Sequence, residues 1–151
     1  MAEDMEADFE RFFTVIEPKL CRALVARYGP DRGREATAEA LAWAWEHWER
    51  VASLDNQVGY LYRVGQSKNR KRRNRPVFEV PVDTDPVVEP GLAGAVEALP
   101  DRQRVATLLI YGAGWTNAEV ARLLGVQPST VHRNASRGLI ALRKAIVGGE
   151  R

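Results

Sequence analysis

Apolar residues recur at steps of three and four along most of the chain, which is the spacing of one buried face of an α-helix. The first such stripe covers residues 9–24, and Pro18 interrupts it, so we predict a kink or two abutting helices there. A second helix is predicted over 34–51, and a third after Asp55-Asn56, which can cap it. The pattern predicts an all-α fold.

The C-terminal part of the chain carries the signals of a helix-turn-helix. Thr116 and Glu119 have the spacing of a capping box, in which each side chain satisfies a free amide of the first turn. Gly125 can end that helix in left-handed geometry, and Pro128 can open the next one. Ala121 is the small residue that two closely crossing helices need at their contact.

Charge changes sign along the chain in four blocks. Residues 1–62 are acidic, with twelve Asp and Glu against seven Lys and Arg, and residues 63–75 are strongly basic, with seven Lys and Arg and no acid. Residues 76–90 are acidic again, with four Asp and Glu and no base. Residues 91–151 are basic, with eight Lys and Arg against four acids. Five prolines lie in the acidic block and the ten residues after it. We therefore predict two small helical domains, 1–75 and 91–151, joined by an acidic Pro-rich linker.

Composition excludes several classes of protein. With 151 residues, 45% of them apolar, the chain has no apolar run near the roughly 18 residues that span a bilayer, and its acidic start is unlike a signal peptide. We expect a cytoplasmic protein without membrane contact. Cys21 is the single cysteine, so the chain cannot form an internal disulfide. With His47 and His132 as the two histidines, it also has few of the usual ligands for a metal site. No catalytic motif is found, and we expect no cofactor and no enzyme activity.

The last two helices leave a polar face once their apolar positions are buried. Short hydroxyl donors near a helix N-terminus, followed by arginines, can meet base edges and phosphates in a major groove. The alternative is an ordinary helical hairpin with a solvated polar face. The candidate DNA contacts are Thr116, Ser129, Thr130, His132, Arg133, Ser136 and Arg137.

The basic block has aromatic residues beside it, since Tyr60 and Tyr62 precede it on the same predicted helix and Trp48 lies just before the loop that leads into that helix. Unpaired bases stack on aromatic rings beside a cationic track in proteins that hold single strands. The alternative is that these rings belong to the core.

Residues 98–146 resemble region 4, the C-terminal promoter-reading domain of bacterial sigma factors of the small extracytoplasmic-function type. The resemblance implies that the helix from Ser129 reads the minus-thirty-five element and that the domain sits on the flap of the polymerase β subunit. The matching residues are Leu99-Pro100, Gln103-Arg104, Glu119-Val120-Ala121, Leu124-Gly125-Val126, Thr130-Val131, Ser136-Arg137 and Leu142-Arg143.

Residues 55–70 resemble region 2 of the same sigma-70 family, in which a basic helix follows the loop that captures a flipped base of the minus-ten element. The resemblance implies that this domain helps to melt the promoter, since a pocket for an extruded base offsets the cost of unstacking it. The implied contacts are Asn56, Tyr60, Arg63, Gln66, Lys68, Arg70, Lys71 and Arg73.

The tryptophan-rich second helix is a candidate partner surface. Trp43 and Trp45 differ by about 200° around a helix, so one ring faces outward or meets another partner. Periodicity places Trp45 and Trp48 together on the buried face. In the sigma family the corresponding helix binds the clamp helices of the polymerase β′ subunit, which implies contacts at Ala40, Trp43, Glu46 and His47. Burial on two sides of a small bundle is the alternative.

Taken together, the resemblance implies a sigma factor that binds core RNA polymerase and promoter DNA, is a monomer when free, and has an anti-sigma factor as a further partner. The first alternative is a stand-alone helix-turn-helix regulator, which would dimerise to read two half-sites. The second is a nuclease, which would need a carboxylate cluster for a metal ion.

Overall fold

The computed structural model describes residues 2–70, 76–78 and 91–149. Within these ranges the chain forms eight α-helices and no strand, which confirms the all-α fold class. The helices are α1 (Ala2–Tyr28), α2 (Pro30–Glu46), α3 (Trp48–Ala52), α4 (Gln57–Asn69), α5 (Leu92–Ala98), α6 (Asp101–Thr107), α7 (Asn117–Leu124) and α8 (Pro128–Gly149). A π-helical turn, Leu108–Gly112, continues α6.

Helix α1 runs through Pro18 without ending, so the prediction of two abutting helices there is wrong. A proline inside a helix removes the hydrogen bond to the carbonyl four residues earlier, which here belongs to Thr14. Both residues are exposed, so water can satisfy that carbonyl. The buried stripe of Phe12, Ile16 and Leu20 continues past the proline, and its burial stabilises the uninterrupted helix.

The second predicted helix ends earlier than expected. α2 stops at Glu46, and His47 leaves helical geometry with φ −121° and ψ 34° before α3 begins. Beyond this break Trp48 lies in the core beside Phe12, with 4.9 Å between ring centroids, whereas Trp45 is 45% exposed. The prediction that Trp45 shares the buried face with Trp48 is therefore wrong.

The helix caps predicted next to the candidate sites are present. Asn56 caps α4, with its Oδ1 accepting from the Gly59 amide at 3.2 Å. Thr116 Oγ1 accepts from the amide of Glu119 at 3.1 Å, and the Glu119 carboxylate accepts from the Thr116 amide at 3.3 Å. Gly125 ends α7 in left-handed geometry, with φ 68° and ψ 37°. The capping box and the turn glycine are therefore confirmed.

The predicted helix-turn-helix consists of α7 and α8. The amides of Gly125 and Val126 both donate to the carbonyl of Ala121, at 2.8 and 3.1 Å, and close the turn. Val120 and Val131 are fully buried, one on each helix. This tight turn fixes the direction in which α8 leaves α7.

The two predicted domains share one hydrophobic core. A single connected cluster of buried side chains contains Leu20 and Leu61 from the N-terminal helices and Val105, Leu109 and Val120 from the C-terminal ones. Helix α6 packs on α1, and α7 packs on α4. The described parts of the two domains are thus docked on each other, whereas the sequence suggested only a linker between them.

The described start of the linker lies against both domains. The backbone of Val77 passes Gly29 so closely that a Cβ on Gly29 would lie 2.2 Å from the Val77 oxygen. The amide of Phe78 donates to the Glu97 carboxylate at 2.8 Å. Residues 79–90, the rest of the predicted linker, lie outside the described residues, and the predicted division into domains stays a prediction.

Gly138 allows α8 to approach α6 closely. A Cβ on Gly138 would lie 2.0 Å from Thr107 Oγ1 and 3.2 Å from the carbonyl oxygen of Gln103. Thr107 is itself buried and cannot swing into solvent. This close approach sets the orientation of α8, and with it the direction of the side chains on its outer face.

Gly138→Ala is expected to lower the free energy of unfolding by about 1–3 kcal/mol, because the added methyl group overpacks this crossing. Gly148→Ala is the matched control, since that glycine lies on the same helix with nothing near its Cβ position. The control should be neutral or slightly stabilising, because alanine favours helix over glycine. Urea unfolding followed by circular dichroism measures both, and equal stability of the two variants would contradict the close crossing.

Candidate nucleic-acid interface

The outer face of α8 is open to solvent. Of the predicted DNA contacts on this helix, Ser129, His132, Arg133 and Arg137 are exposed, and Thr130 and Ser136 are half-buried. Arg133 and Arg137 are one turn apart and therefore lie on the same side of the helix. Ser129 and Thr130 belong to the first turn, where free amides and the helix dipole favour an anion such as a phosphate. The face can thus meet a DNA backbone and its base edges together.

Thr116, the remaining predicted contact of this group, is exposed at the start of α7. Its hydroxyl is already engaged twice, because it accepts from the Glu119 amide and donates to Glu119 Oε1 at 3.0 Å. A DNA contact through this hydroxyl would have to replace one of those bonds. In the described structure Thr116 stabilises the start of the helix that carries the turn.

The predicted basic surface follows α4. Arg63, Lys68 and Arg70 are exposed, and Gln66 is half-buried. Lys71 and Arg73, the other two basic residues predicted here, lie outside the described residues. Three of the predicted basic residues thus lie on α4 or at its C-terminal end.

Tyr60 lies beside this basic surface and is half-buried. Its ring centroid is 5.6 Å from that of Trp43, and the Arg50 guanidinium carbon lies 5.6 Å from its centroid. Cation–π contacts of this kind stabilise by about 0.5–1 kcal/mol at exposed sites. Tyr60 therefore packs partly in the core and keeps one part accessible, so its burial excludes neither of the two roles that the sequence left open.

One of the four residues predicted to bind polymerase has no exposed surface. Ala40 is fully buried where α2 packs on α1 and α4, so a contact through it is no longer expected. Glu46 and His47 are exposed and Trp43 is half-buried. The imidazole of His47 stacks on the Trp43 ring at 4.2 Å, with Nδ1 2.9 Å from the Trp43 carbonyl oxygen.

The tryptophan that faces outward is Trp45, on another side of α2. Its ring meets Phe9 edge-on at 4.9 Å, and Phe13 beside it is also exposed. These rings, together with Cys21 and Leu41, line an open groove of about 520 Å³ between α1 and α2. The sequence required one outward ring, and the structure shows that it is Trp45.

Arg104 in α6 is buried to 1% exposure although it carries a charged guanidinium group. Its Nε donates to the Ala26 carbonyl at 3.0 Å, and its Nη2 donates to the Arg27 carbonyl at 2.6 Å. Both carbonyls belong to the last turn of α1, where they have no partner within the helix. A cation there also interacts favourably with the negative end of the helix dipole. Arg104 thus caps a helix of the other predicted domain.

The same guanidinium also binds two residues next to it in the C-terminal part of the chain. Nη1 donates to the Leu99 carbonyl at 2.8 Å, and Nη2 donates to Asp101 Oδ1 at 2.6 Å. Pro100 occupies the N-cap position of α6, and the carboxylate of Asp101, the first residue of the helix, binds Arg104. The other Asp101 oxygen lies 3.3 Å from Arg27 Nη1, across the domain boundary.

Sequence reasoning missed the role of Arg104, although a signal was present. Arg104 directly precedes Val105 and lies four residues before Leu108, so helical periodicity places it on the apolar side of α6. A charged residue on a buried face needs several hydrogen-bond partners. Nothing in the sequence indicates that those partners lie in α1.

A second polar contact joins the two domains at the start of α4. The Asn56 Nδ2 donates to the Arg122 carbonyl at 2.8 Å, and Arg122 Nη2 donates to the Asp55 carbonyl at 2.6 Å. Next to this pair, Leu123 is 2% exposed. The loop predicted to capture a base is thus bound to the end of α7.

Packing between the domains is incomplete around Tyr62. Its side chain is buried, and its hydroxyl has no hydrogen-bond partner among the described residues. Burial raises the pKa of this hydroxyl well above its ordinary value near 10. A cavity of about 300 Å³ beside it is lined by Arg63 and Gln66 from α4 and by Asp101 and Leu123 from the C-terminal helices.

The described residues contain no group of three or more His, Cys, Asp or Glu side chains that could hold a metal ion. Among the described helices, none combines the length and the apolar character that crossing a membrane requires.

Two comparisons with known proteins find similar proteins. Residues 92–142, which hold α5 to α7 and most of α8, match the family model described as sigma-70, region 4. The fold matches the sigma factor RpoE of Bartonella quintana, solved as a co-crystal with the anti-sigma factor NepR. That match has a TM-score of 0.69, 19% sequence identity, and coverage of 95% of this chain and 99% of that chain. No curated protein sequence matches the chain.

Tyr62→Phe is expected to leave the free energy of unfolding at neutral pH unchanged or slightly higher, because the lost hydroxyl has no partner. The raised pKa means that the folded chain keeps this proton when the unfolded chain loses it. Stability is therefore retained below pH 10 or so and falls as the pH rises further. Tyr62→Phe should reduce that alkaline loss in urea titrations.

Tyr111→Phe is the control for this experiment, because Tyr111 is 54% exposed. It should leave the alkaline loss as it is in the unaltered chain. If Tyr62→Phe instead costs more than about 1 kcal/mol at neutral pH, the hydroxyl has a partner and the interpretation fails.

Proposed function

We propose promoter-directed transcription initiation as the function of this chain, because residues 92–142 match the sigma-70 region 4 model and the fold is that of a sigma factor. In this proposal the chain binds core RNA polymerase and brings it to promoters with two separated elements. The observation that carries the proposal is the exposed face of α8, framed by the capped α7 and the Gly125 turn.

The upstream element is the proposed target of α8. The second helix of a helix-turn-helix enters the major groove with its N-terminal residues on base edges. Ser129 and His132 lie in that position, and Arg133 and Arg137 follow along the same exposed face. Arginine can bind guanine with two hydrogen bonds or pair with phosphate, so this face offers both base readout and positioning.

The downstream element is the proposed target of the loop at Asp55-Asn56 and of α4. Arg63, Lys68 and Arg70 offer exposed cations for the backbone, and the partly accessible ring of Tyr60 offers a surface for stacking. Holding an unpaired strand on such a surface would favour the melted promoter, because stacking contributes about 1–3 kcal/mol per base.

The polymerase is the proposed partner of α2. Trp43, Glu46 and His47 give one accessible patch, and Trp45 belongs to a second, more apolar one. Interface cores are enriched in aromatic side chains, which favours both patches as contact points. The structurally similar RpoE was solved with an anti-sigma factor, and we propose a partner of that class for this chain as well.

Transcription by core RNA polymerase, with and without the purified chain, tests the function directly. On genomic DNA fragments, adding the chain should produce run-off products from a small set of discrete starts, because only the complex recognises both elements. Unchanged start selection would contradict the proposal. Binding to duplex DNA as a dimer, with no effect on the polymerase, would favour the stand-alone regulator instead.

Arg133→Ala and Arg137→Ala are each expected to weaken binding of the polymerase complex to promoter DNA by about 1–3 kcal/mol, because each removes a base or phosphate contact. Arg102→Ala is the matched control, because it is an exposed arginine of the same domain that lies on α6 and not on α8. Fluorescence anisotropy with a labelled upstream element measures the affinity. An equal loss in all three variants would mean that the effect is not specific to this face.

A further inference from the structure

The cavity beside Tyr62 lies where the N-terminal and C-terminal helices meet, and it has the size of a small-ligand site. Its volume is about 300 Å³, at the lower end of the roughly 300–1,000 Å³ that is usual for ligand pockets. Helix α1 contributes Arg27 to its walls, α4 contributes Tyr62, and the C-terminal helices contribute Val105, Leu123 and Asn134. Ligand pockets occur preferentially between domains, where neighbouring elements supply apolar walls and a few polar groups together.

Positive charge predominates around this cavity. Among the described residues that line it, Arg27, Arg63 and Arg102 are cations and Asp101 is the one carboxylate. That carboxylate is already paired on both oxygens, with Arg104 at 2.6 Å and with Arg27 at 3.3 Å. Within the described part of the chain, neither Arg63 nor Arg102 forms an ion pair. The walls of the cavity therefore favour an anionic ligand.

A buried donor without a partner belongs to the same cavity. Tyr62 is 2% exposed, and its hydroxyl has no hydrogen-bond partner among the described residues. Burial raises the pKa of this hydroxyl, so it keeps its proton and remains a donor at neutral pH. A buried polar group without a partner is unfavourable, so a ligand oxygen that accepts from Tyr62 would bind more tightly. The hydroxyl thus adds a directional donor to the attraction for an anion.

The number and charge of these donors favour a phosphate group. Three arginines against one carboxylate leave a formal excess of two positive charges on the lining residues. A phosphate monoester carries a charge of about −1.5 to −2 at neutral pH and has three acceptor oxygens. It can therefore accept from Arg27, Arg63 and Tyr62 together, whereas a carboxylate has two oxygens for three donors. Arginine also binds phosphate with two parallel hydrogen bonds.

The other walls of the cavity fit a sugar. Gln66 and Asn134 are half-buried and line it, and within the described residues neither side-chain amide takes part in a hydrogen bond. An amide both donates and accepts, so it can bind hydroxyl groups. Val105 and Leu123, which are 1% and 2% exposed, offer an apolar wall for the carbon atoms of a ring.

We propose that this cavity binds a small sugar phosphate, with the phosphate group on Arg27, Arg63 and Tyr62 and the sugar beside Gln66 and Asn134. The ligand would contact both halves of the chain, so it would stabilise the folded chain with its domains docked. Arg63 and Gln66 are also proposed contacts of the downstream element, so the bound ligand would compete with DNA for them. That consequence rests on the proposed function, whereas the binding itself does not.

Isothermal titration calorimetry of the full chain with ribose 5-phosphate tests the proposal. Arg63→Ala and Tyr62→Phe should each weaken the affinity by about tenfold or more, because each removes a donor to a charged group. Both variants should fold, since Arg63 is exposed and the Tyr62 hydroxyl has no partner among the described residues. Arg143→Ala is the control, an exposed arginine of α8 that does not line the cavity, and it should bind as the unaltered chain does.

Ribose and inorganic phosphate, titrated separately, show which part of the ligand is recognised. Ribose should not bind, and inorganic phosphate should bind about tenfold more weakly than ribose 5-phosphate, because the sugar adds hydrogen bonds. No saturable binding of ribose 5-phosphate at millimolar concentration, or an equal loss in Arg143→Ala, overturns the inference. Equal affinity for the two phosphates contradicts the assignment of a sugar phosphate. The titrations contain neither DNA nor polymerase, so their failure would leave the proposed role in transcription as it stands.

Discussion

A guanidinium group buried in a protein must have its donors satisfied, and in this chain the donors of Arg104 are satisfied by two different domains. The two carbonyls it binds in α1 end a helix and lack internal partners. Docking α6 on the end of α1 satisfies the cation and the helix end together. It also fixes where the rest of the C-terminal domain lies: α7 falls on α4, and the outer face of α8 points to solvent.

In this arrangement the two proposed DNA surfaces differ in how exposed their polar groups are. Among the described residues, no hydrogen bond or ion pair engages the exposed side chains of Ser129, His132, Arg133 and Arg137 on the α8 face. In the loop at Asp55-Asn56, by contrast, the Asn56 Nδ2 donates to the Arg122 carbonyl of α7, and the Asp55 carbonyl accepts from the Arg122 side chain. The proposed upstream surface is therefore exposed, whereas part of the proposed downstream surface contacts α7.

The sequence predicted those features that depend on a few neighbouring residues. The capping box at Thr116, the left-handed Gly125 and the cap at Asn56 are confirmed, because each needs only the chemistry of one turn. Two abutting helices at Pro18 and a buried Trp45 were predicted wrongly, because the buried stripe of α1 continues past Pro18 and the helix breaks at His47. The docking of the domains was not predicted, because the partners of Arg104 lie 77 and 78 residues away along the chain.

The radius of gyration of the free chain in solution tests the docked arrangement most directly. Small-angle X-ray scattering should give about 15 Å, the value for one compact body of this length, with a scattering profile that matches the docked helices. A radius well above about 20 Å, with a profile typical of two bodies on a flexible connection, would contradict the account.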